Sequence, residues 1–215
     1  MKKRLYQSEA ASYFREHSSI FLFIVILFLM GVIFGAIVVN SMSIPQKEDL
    51  FYYLSQFFGQ VSDGKVAEDS DLFLQSFFDN SKFIGLMWIL GISIIGLPVI
   101  LILLFLKGMV VGFTVGFLVS QMGWKGFMMA FVSILPQNLI TIPVFIMMAA
   151  LSVIFSMRMI KKQFMKKYGQ PIMPFFKRYI IALLAAVIFL SVASGIEAYL
   201  SPWLMKTIIH STNLK

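Results

Sequence analysis

Residues 105–145 read FLKGMVVGFTVGFLVSQMGWKGFMMAFVSILPQNLITIPVF, and the number of times this stretch crosses a membrane decides the fold. It lies largely within a run, 108–157, in which Lys125 is the sole charge. As a helix rising 1.5 Å per residue, 108–123 extends about 24 Å, slightly less than a hydrocarbon core of roughly 30 Å. The return, 126–157, would extend about 48 Å, too far for one upright helix. Pro136 divides it, and 139–157 alone, at about 28 Å, suffices for a crossing.

The surrounding chain sets the context. It has 215 residues, 59% hydrophobic and 13% charged. Soluble domains are about one-quarter charged, so the composition is that of an integral membrane protein. Residues 20–39, IFLFIVILFLMGVIFGAIVV, form an uncharged run long enough to span as a helix. The run is too long for a signal peptide, and no A-x-A site follows it. Residues 83–106 read as a second span kinked at Pro98 and ended by Lys107 and Gly108, and 179–200 as the last.

Positive charge fixes the parity of 108–157. Lys2, Lys3, Arg4 and Arg15 mark the N-terminal arm. The segment 40–82 holds seven of the ten acids and three lysines, whereas 158–178 holds seven basic residues and no acid. Lys and Arg favour the cytoplasmic side, so the arm and 158–178 belong inside and 40–82 outside, and 108–157 must cross an even number of times. The expected fold is all-α: a polytopic membrane helix bundle of five spans with one re-entrant or broken segment, N-terminus in and C-terminus out. As a single membrane domain it divides into a cytoplasmic arm (1–19), span 1 (20–39), an extracytoplasmic amphipathic loop (40–82), span 2 (83–106) and span 3 (108–123). A re-entrant segment plus span 4 (126–157), a basic cytoplasmic loop (158–178), span 5 (179–200) and an extracytoplasmic tail (201–215) follow. Trp88, Trp124 and Trp203 all fall toward the outer interface, where tryptophan is enriched. The net charge of +8 thus reports orientation, and no nucleic-acid partner is expected.

Pro136, Gln137 and Asn138 admit two readings. Either 126–135 dips into the outer leaflet and PQN is the turn where it meets span 4, or PQN is a helix break at mid-membrane depth that offers a polar path. In both, Pro136 removes a donor and the amides of Gln137 and Asn138 are free to cap nearby backbone groups. Gly108, Gly112, Gly116 and Ser120 recur every four residues and strip one helix face of bulk, for packing within the chain or for a homo-oligomer seam. Gly31 and Gly35 make a further GxxxG pair in span 1.

The outer loop carries two apolar clusters at helical spacing. One contains Leu50, Phe51, Leu54, Phe57 and Phe58, the other Leu72, Phe73, Phe77 and Phe78, with VSDGKVAEDSD between them. The helices these predict lie on the lipid surface, cap the bundle, or present a docking face comprising Phe51, Phe57, Phe58, Phe73, Phe77 and Phe78. Tyr6, Ala10, Tyr13, Phe14 and His17 give the arm a similar stripe. Glu197 is the one acid in an expected span; it sits near the outer end, within reach of water, with Lys125 as a conceivable partner.

Catalytic sets are missing. No aspartate falls in an expected span, His17 and His210 fall on opposite sides of the membrane, and no GxxxxGK[ST] occurs. The chain lacks cysteine, and no spacing suits a metal site. Neither enzyme activity, cofactor nor metal is expected.

The runs VIFGAIVVNS, QKEDLFYYLSQFFGQV, NSKFIGLMWILGISIIGLP, FLKGMVVGFTVGFLVSQMG and SILPQNLITIPVF together closely resemble the stage II sporulation protein M family of endospore-forming Gram-positive bacteria. The resemblance runs from about Leu5 to the last span and is most specific over 80–145. It implies a multi-pass protein of the mother-cell septal membrane, needed for engulfment, that binds stage II sporulation proteins D and P and localises these peptidoglycan-degrading partners. It carries no catalytic residues. Its motif positions map onto Gly85, Trp88, Gly91, Gly96, Pro98, Lys107, Gly108, Gly112, Gly116, Pro136, Gln137 and Asn138. The expected function is a non-enzymatic scaffold for cell-wall hydrolases, with membrane lipid as its other partner. The alternative is a small-solute or ion channel or transporter built on the Pro136–Gln137–Asn138 break.

Overall fold

A computed structural model describes residues 17–62, 69–93, 95–164, 173–201 and 203–204, with the side chains of 57, 58, 61, 62, 69 and 162–164 left out. The stripe at 6–14 in the arm, the loop linker 63–68, residues 165–172 of the basic loop and most of the tail lie outside the described residues. All described elements are helical: α1 (Ser18–Ser41), α2 (Ile44–Ser62), α3 (Asp69–Ile92), α4 (Gly96–Phe164), α5 (Met173–Gly195) and a π-helical turn, Ile196–Leu200, that extends α5. Three stretches are long and apolar enough to cross a membrane: Ser18–Ser41, Gly96–Lys161 and Met173–Leu200.

In α1, Ile24, Phe28, Gly31, Gly35 and Val39 fall on one face and are buried, while Leu22, Ile33 and Ile37 are each more than half exposed. A continuous apolar surface of this size is rejected by water and suits lipid. The buried face lies against the first part of α4, both helices running in the same direction. A Cβ on Gly108 would strike the Phe28 carbonyl, one on Gly112 the Val32 carbonyl, and one on Gly35 the Met109 carbonyl. Small residues on both helices therefore bring the two backbones into contact. The face carried by Gly108, Gly112 and Gly116 is filled by α1 of the same chain; Ser120 is exposed.

α4 is two limbs joined at Gly123, whose φ of 56° and ψ of −131° leave the helical region. Positive φ favours glycine. Three residues on, a Cβ at Gly126 would overlap the Leu118 carbonyl, so the reversal closes tightly. The limbs run antiparallel: Lys107 Nζ lies 4.8 Å from the ring centroid of Phe145, which a straight helix would place roughly 57 Å away.

Two expectations are corrected here. The backbone stays helical through Pro136, Gln137 and Asn138 and through Pro143, so 126–135 is not a separate dipping helix and PQN is not a helix break. The limb accommodates its excess length by running on to Phe164, and Ser133 Oγ and Asn138 Nδ2 donate to the carbonyls of Met129 and Ile134 around Pro136, at 2.6 and 2.8 Å.

The single helix expected over 83–106 is also two. α3 ends at Ile92 and α4 begins at Gly96, and the chain folds back between them. Lys107 Nζ donates to Asn80 Oδ1 at 2.9 Å, which a continuous helix would forbid by about 40 Å. Pro98 stands in the first turn of α4, where N–H groups have no intrahelical acceptor, and so opens a helix instead of kinking one. The second loop cluster is likewise the first half of α3, continuous with the segment from Phe83 to Ile92.

Candidate functional site

α3, the two limbs of α4, and α5 with its π turn pack together, and each changes character along its length. Toward the turn between Ile92 and Gly96 they are dry: Ile84, Met87, Ile100, Leu104, Phe145, Met148 and Leu190 are almost fully buried in one cluster. Aromatic rings lock this end. Tyr179 stacks on Trp88 at 5.4 Å and on Phe155 at 4.8 Å, and its hydroxyl donates to the Trp88 carbonyl at 2.9 Å. Ser152 Oγ lies 2.7 Å from the same hydroxyl. Trp88 Nε1 donates to the Tyr179 carbonyl at 3.3 Å, and Ser156 Oγ to the Ser93 carbonyl at 3.1 Å, so the fold-back is pinned from α4 and α5.

Toward Gly123 the same helices diverge around a cavity of about 540 Å³. α3 supplies Leu72, Gln75, Ser76, Asp79 and Asn80; the first limb of α4 supplies Lys107, Val110, Val111 and Thr114. The second limb gives Ser133, Ile134, Gln137, Asn138 and Thr141, and the end of α5 gives Glu197 and Ser201. Lys107 forms the floor. Its side chain rests on the rings of Phe145 and Phe83, at 4.8 and 5.6 Å, and its ammonium reaches Asn80, whose own Nδ2 donates to the Ser76 carbonyl at 3.0 Å. The rings favour the cation by their quadrupoles. Gly108, next in sequence, touches Phe28 near the middle of α1, so Lys107 lies well inside the bundle and does not end a span.

Glu197 is held by a hydrogen bond from Ser76 Oγ, which also lies 3.2 Å from Ser194 Oγ. Glu197, partly exposed, faces the cavity. Asp79 pairs with Lys82 at 3.4 Å on the exposed side of α3, a contact of little energetic weight. Gln137 Oε1 and Ser201 Oγ are buried without a hydrogen-bond partner. Among the described residues, no three His, Asp or Glu side chains converge as a metal site.

A family model described as Stage II sporulation protein M matches residues 24–202, spanning all the helices that wall the cavity. The chain belongs to the stage II sporulation protein M family. It is a sporulation-related membrane protein. No curated protein and no solved structure matches it. In this member of the stage II sporulation protein M family, the motif positions read from the sequence divide between the two ends. Trp88 and Gly91 lie in the aromatic lock, so Trp88 sits at the opposite end of the bundle from Trp124 and not with it as expected, and a Cβ on Gly91 would meet the Tyr179 hydroxyl; Gly96 and Pro98 open α4. Lys107, Gln137 and Asn138 line the cavity.

Gln137, Asn138 and Glu197 stand out in the sequence; Lys107, expected as a helix end, and Ser76, Asn80 and Ser201, expected at no site, join them on the cavity wall. A signal existed: a lysine flanked by phenylalanine and leucine on one side and a Gly-x-x-x-Gly seam on the other is buried on at least one face. Of the expected docking residues, Phe51 and Phe78 are exposed, Phe73 and Phe77 stack half-buried at 6.0 Å, and the side chains of Phe57 and Phe58 lie outside the described residues.

Proposed function

We propose that this chain is a non-enzymatic scaffold that crosses the membrane five times and recruits peptidoglycan hydrolases on the outer side of the septal membrane during engulfment. The crossings are α1, α3, the two limbs of α4, and α5. The lysine- and arginine-rich arm and 158–178 segment set the fold-back between Ile92 and Gly96 at the cytoplasmic face, and α2 and Gly123 at the outer face.

The observation that carries the reading is α2. Gln46 caps its start, its Oε1 accepting from the Ser43 N–H at 3.0 Å, one half of a capping box. The helix then forms no substantial interface with the other described helices and leaves Phe51, Tyr52 and Tyr53 exposed, the last two by about two-thirds. Exposed aromatic rings on a rigid helix are the residue class that anchors protein interfaces. The family suggests stage II sporulation proteins D and P as the partners.

The test is capture of both hydrolases by the full-length chain, with Phe51, Tyr52 and Tyr53 replaced together by serine. We expect retention to fall at least tenfold while membrane insertion is unchanged. Undiminished capture of both by the inserted variant overturns the docking role of α2. The rival transport reading loses its helix break at Pro136. It keeps the cavity, but the cavity ends on Lys107 above the dry cluster and makes no through-path in this conformation.

A further inference from the structure

The geometry points to a second function, independent of α2: the cavity between α3, α4 and α5 is a binding site for a small zwitterion of amino-acid to dipeptide size. Its volume, about 540 Å³, lies in the range of small-molecule sites. Its charges are split. Lys107 stands at the floor and Glu197 at the wall; Asp79 also lines the cavity but is paired with Lys82, and among the described residues no carboxylate oxygen comes within ion-pair distance of Lys107 Nζ. Each is tethered by one neutral partner, Asn80 and Ser76 respectively.

An ammonium has three donors and a carboxylate accepts at two oxygens, so both retain capacity toward the cavity. Opposite charges held apart at membrane depth are costly unless something compensates them. A simple anion would satisfy Lys107 and repel Glu197, and a simple cation the reverse. A molecule with a carboxylate at one end and an ammonium at the other satisfies both. Two further observations point to an occupant: Gln137 Oε1 lacks a donor, and Ser201 Oγ, on a residue 2% exposed, lacks any partner. Zwitterion N–H groups supply what Gln137 lacks. The dry cluster below Lys107 and the aromatic lock at Tyr179 close the far end, so entry is from the Gly123 side.

The chain has no cysteine, so single thiols report on the cavity directly. The experiment uses the full chain in nanodiscs, with Thr114→Cys as reporter and Ala149→Cys in the dry cluster as the sealed control. A charged methanethiosulfonate should label the first and not the second. L-alanine, β-alanine and alanylalanine at about 10 mM should slow labelling of Thr114→Cys, at least one of them about fivefold or more. Propionate and ethylamine, each carrying half of the charge pair, should change it less than about twofold. Adding Lys107→Met or Glu197→Gln should abolish protection. If either variant fails to insert, the comparison of whole and half ligands on the reporter still decides. No protection by any zwitterion, equal protection by propionate or ethylamine alone, or an unreactive Thr114→Cys each overturns the proposal.

Discussion

The two ends of the bundle are made from the same helices on opposite principles. α3 passes from Ile84 and Met87 to Asn80 and Ser76; the limbs of α4 pass from Leu104 to Lys107 and from Phe145 to Gln137; α5 passes from Leu190 to Ser194 and Glu197. Lipid tails are as apolar as leucine, so in a membrane the dry end is not held by the hydrophobic effect but by close packing and by the hydrogen bonds around Tyr179. The polar end holds a lysine, two carboxylates and two unpartnered side-chain oxygens around open space, an arrangement that stability alone does not favour. Stability should therefore reside in the dry end and in the α1 seam, and ligand chemistry at the polar end.

The seam gives the largest expected effect. At Gly112 a side chain would collide with the Val32 carbonyl, part of a helix backbone that cannot rotate away. Gly112→Val should cost 3 kcal/mol or more, at about the upper end of overpacking penalties, and prevent α1 from docking. Resistance of the full chain to SDS unfolding would show it; a variant that unfolds like the parent would break the assignment of the seam to the interior. Next, Leu104→Ala removes a fully buried side chain from the dry cluster, with an expected loss of about 2–3 kcal/mol in the same assay. Tyr179→Phe deletes one hydroxyl, which takes this partner from the fully buried Ser152 hydroxyl and one of the donors from the Trp88 carbonyl. About 1 kcal/mol is expected, since hydrogen bonds between membrane helices are individually modest.

Much of the dry architecture was legible. α1 announces itself as an uncharged run of spanning length and α5 as an apolar run that follows Lys177 and Arg178, and QMGWKG carries the glycines that the reversal at Gly123 requires. The glycine spacing on 108–116 marks a face without bulk, though not that α1 fills it. The fold-back between Ile92 and Gly96 was hidden because hydropathy is continuous from Phe83 to Leu106, and length alone made one helix plausible. The turn is closed locally by Gly96 N–H donating to the Ser93 carbonyl at 3.3 Å, and Ser156, 63 residues away, adds a second donor to that carbonyl, a contact no local pattern holds. Gly96 followed by Pro98 was the usable clue, a helix opening read as a kink. The polar end was obscured for the opposite reason. Asp69, Asp71, Asp79 and Lys82 look like a water-exposed loop, yet Ser76 among them is buried against Ser194 and Glu197.

The smallest effect discriminates best. Gln137 lies one residue after a proline, between Ser133 and Asn138, whose side chains donate to backbone carbonyls. If Gln137 were structural, leucine in its place should cost as much as Tyr179→Phe. Its Oε1 has no partner, however, so replacing the amide with an apolar side chain removes a desolvated acceptor and fills part of the cavity. Gln137→Leu should therefore shift SDS unfolding by less than about 0.5 kcal/mol, or stabilise slightly. A loss near 1 kcal/mol would place Gln137 with the scaffold, whereas a neutral or positive shift leaves it at the polar end, retained for what the cavity binds.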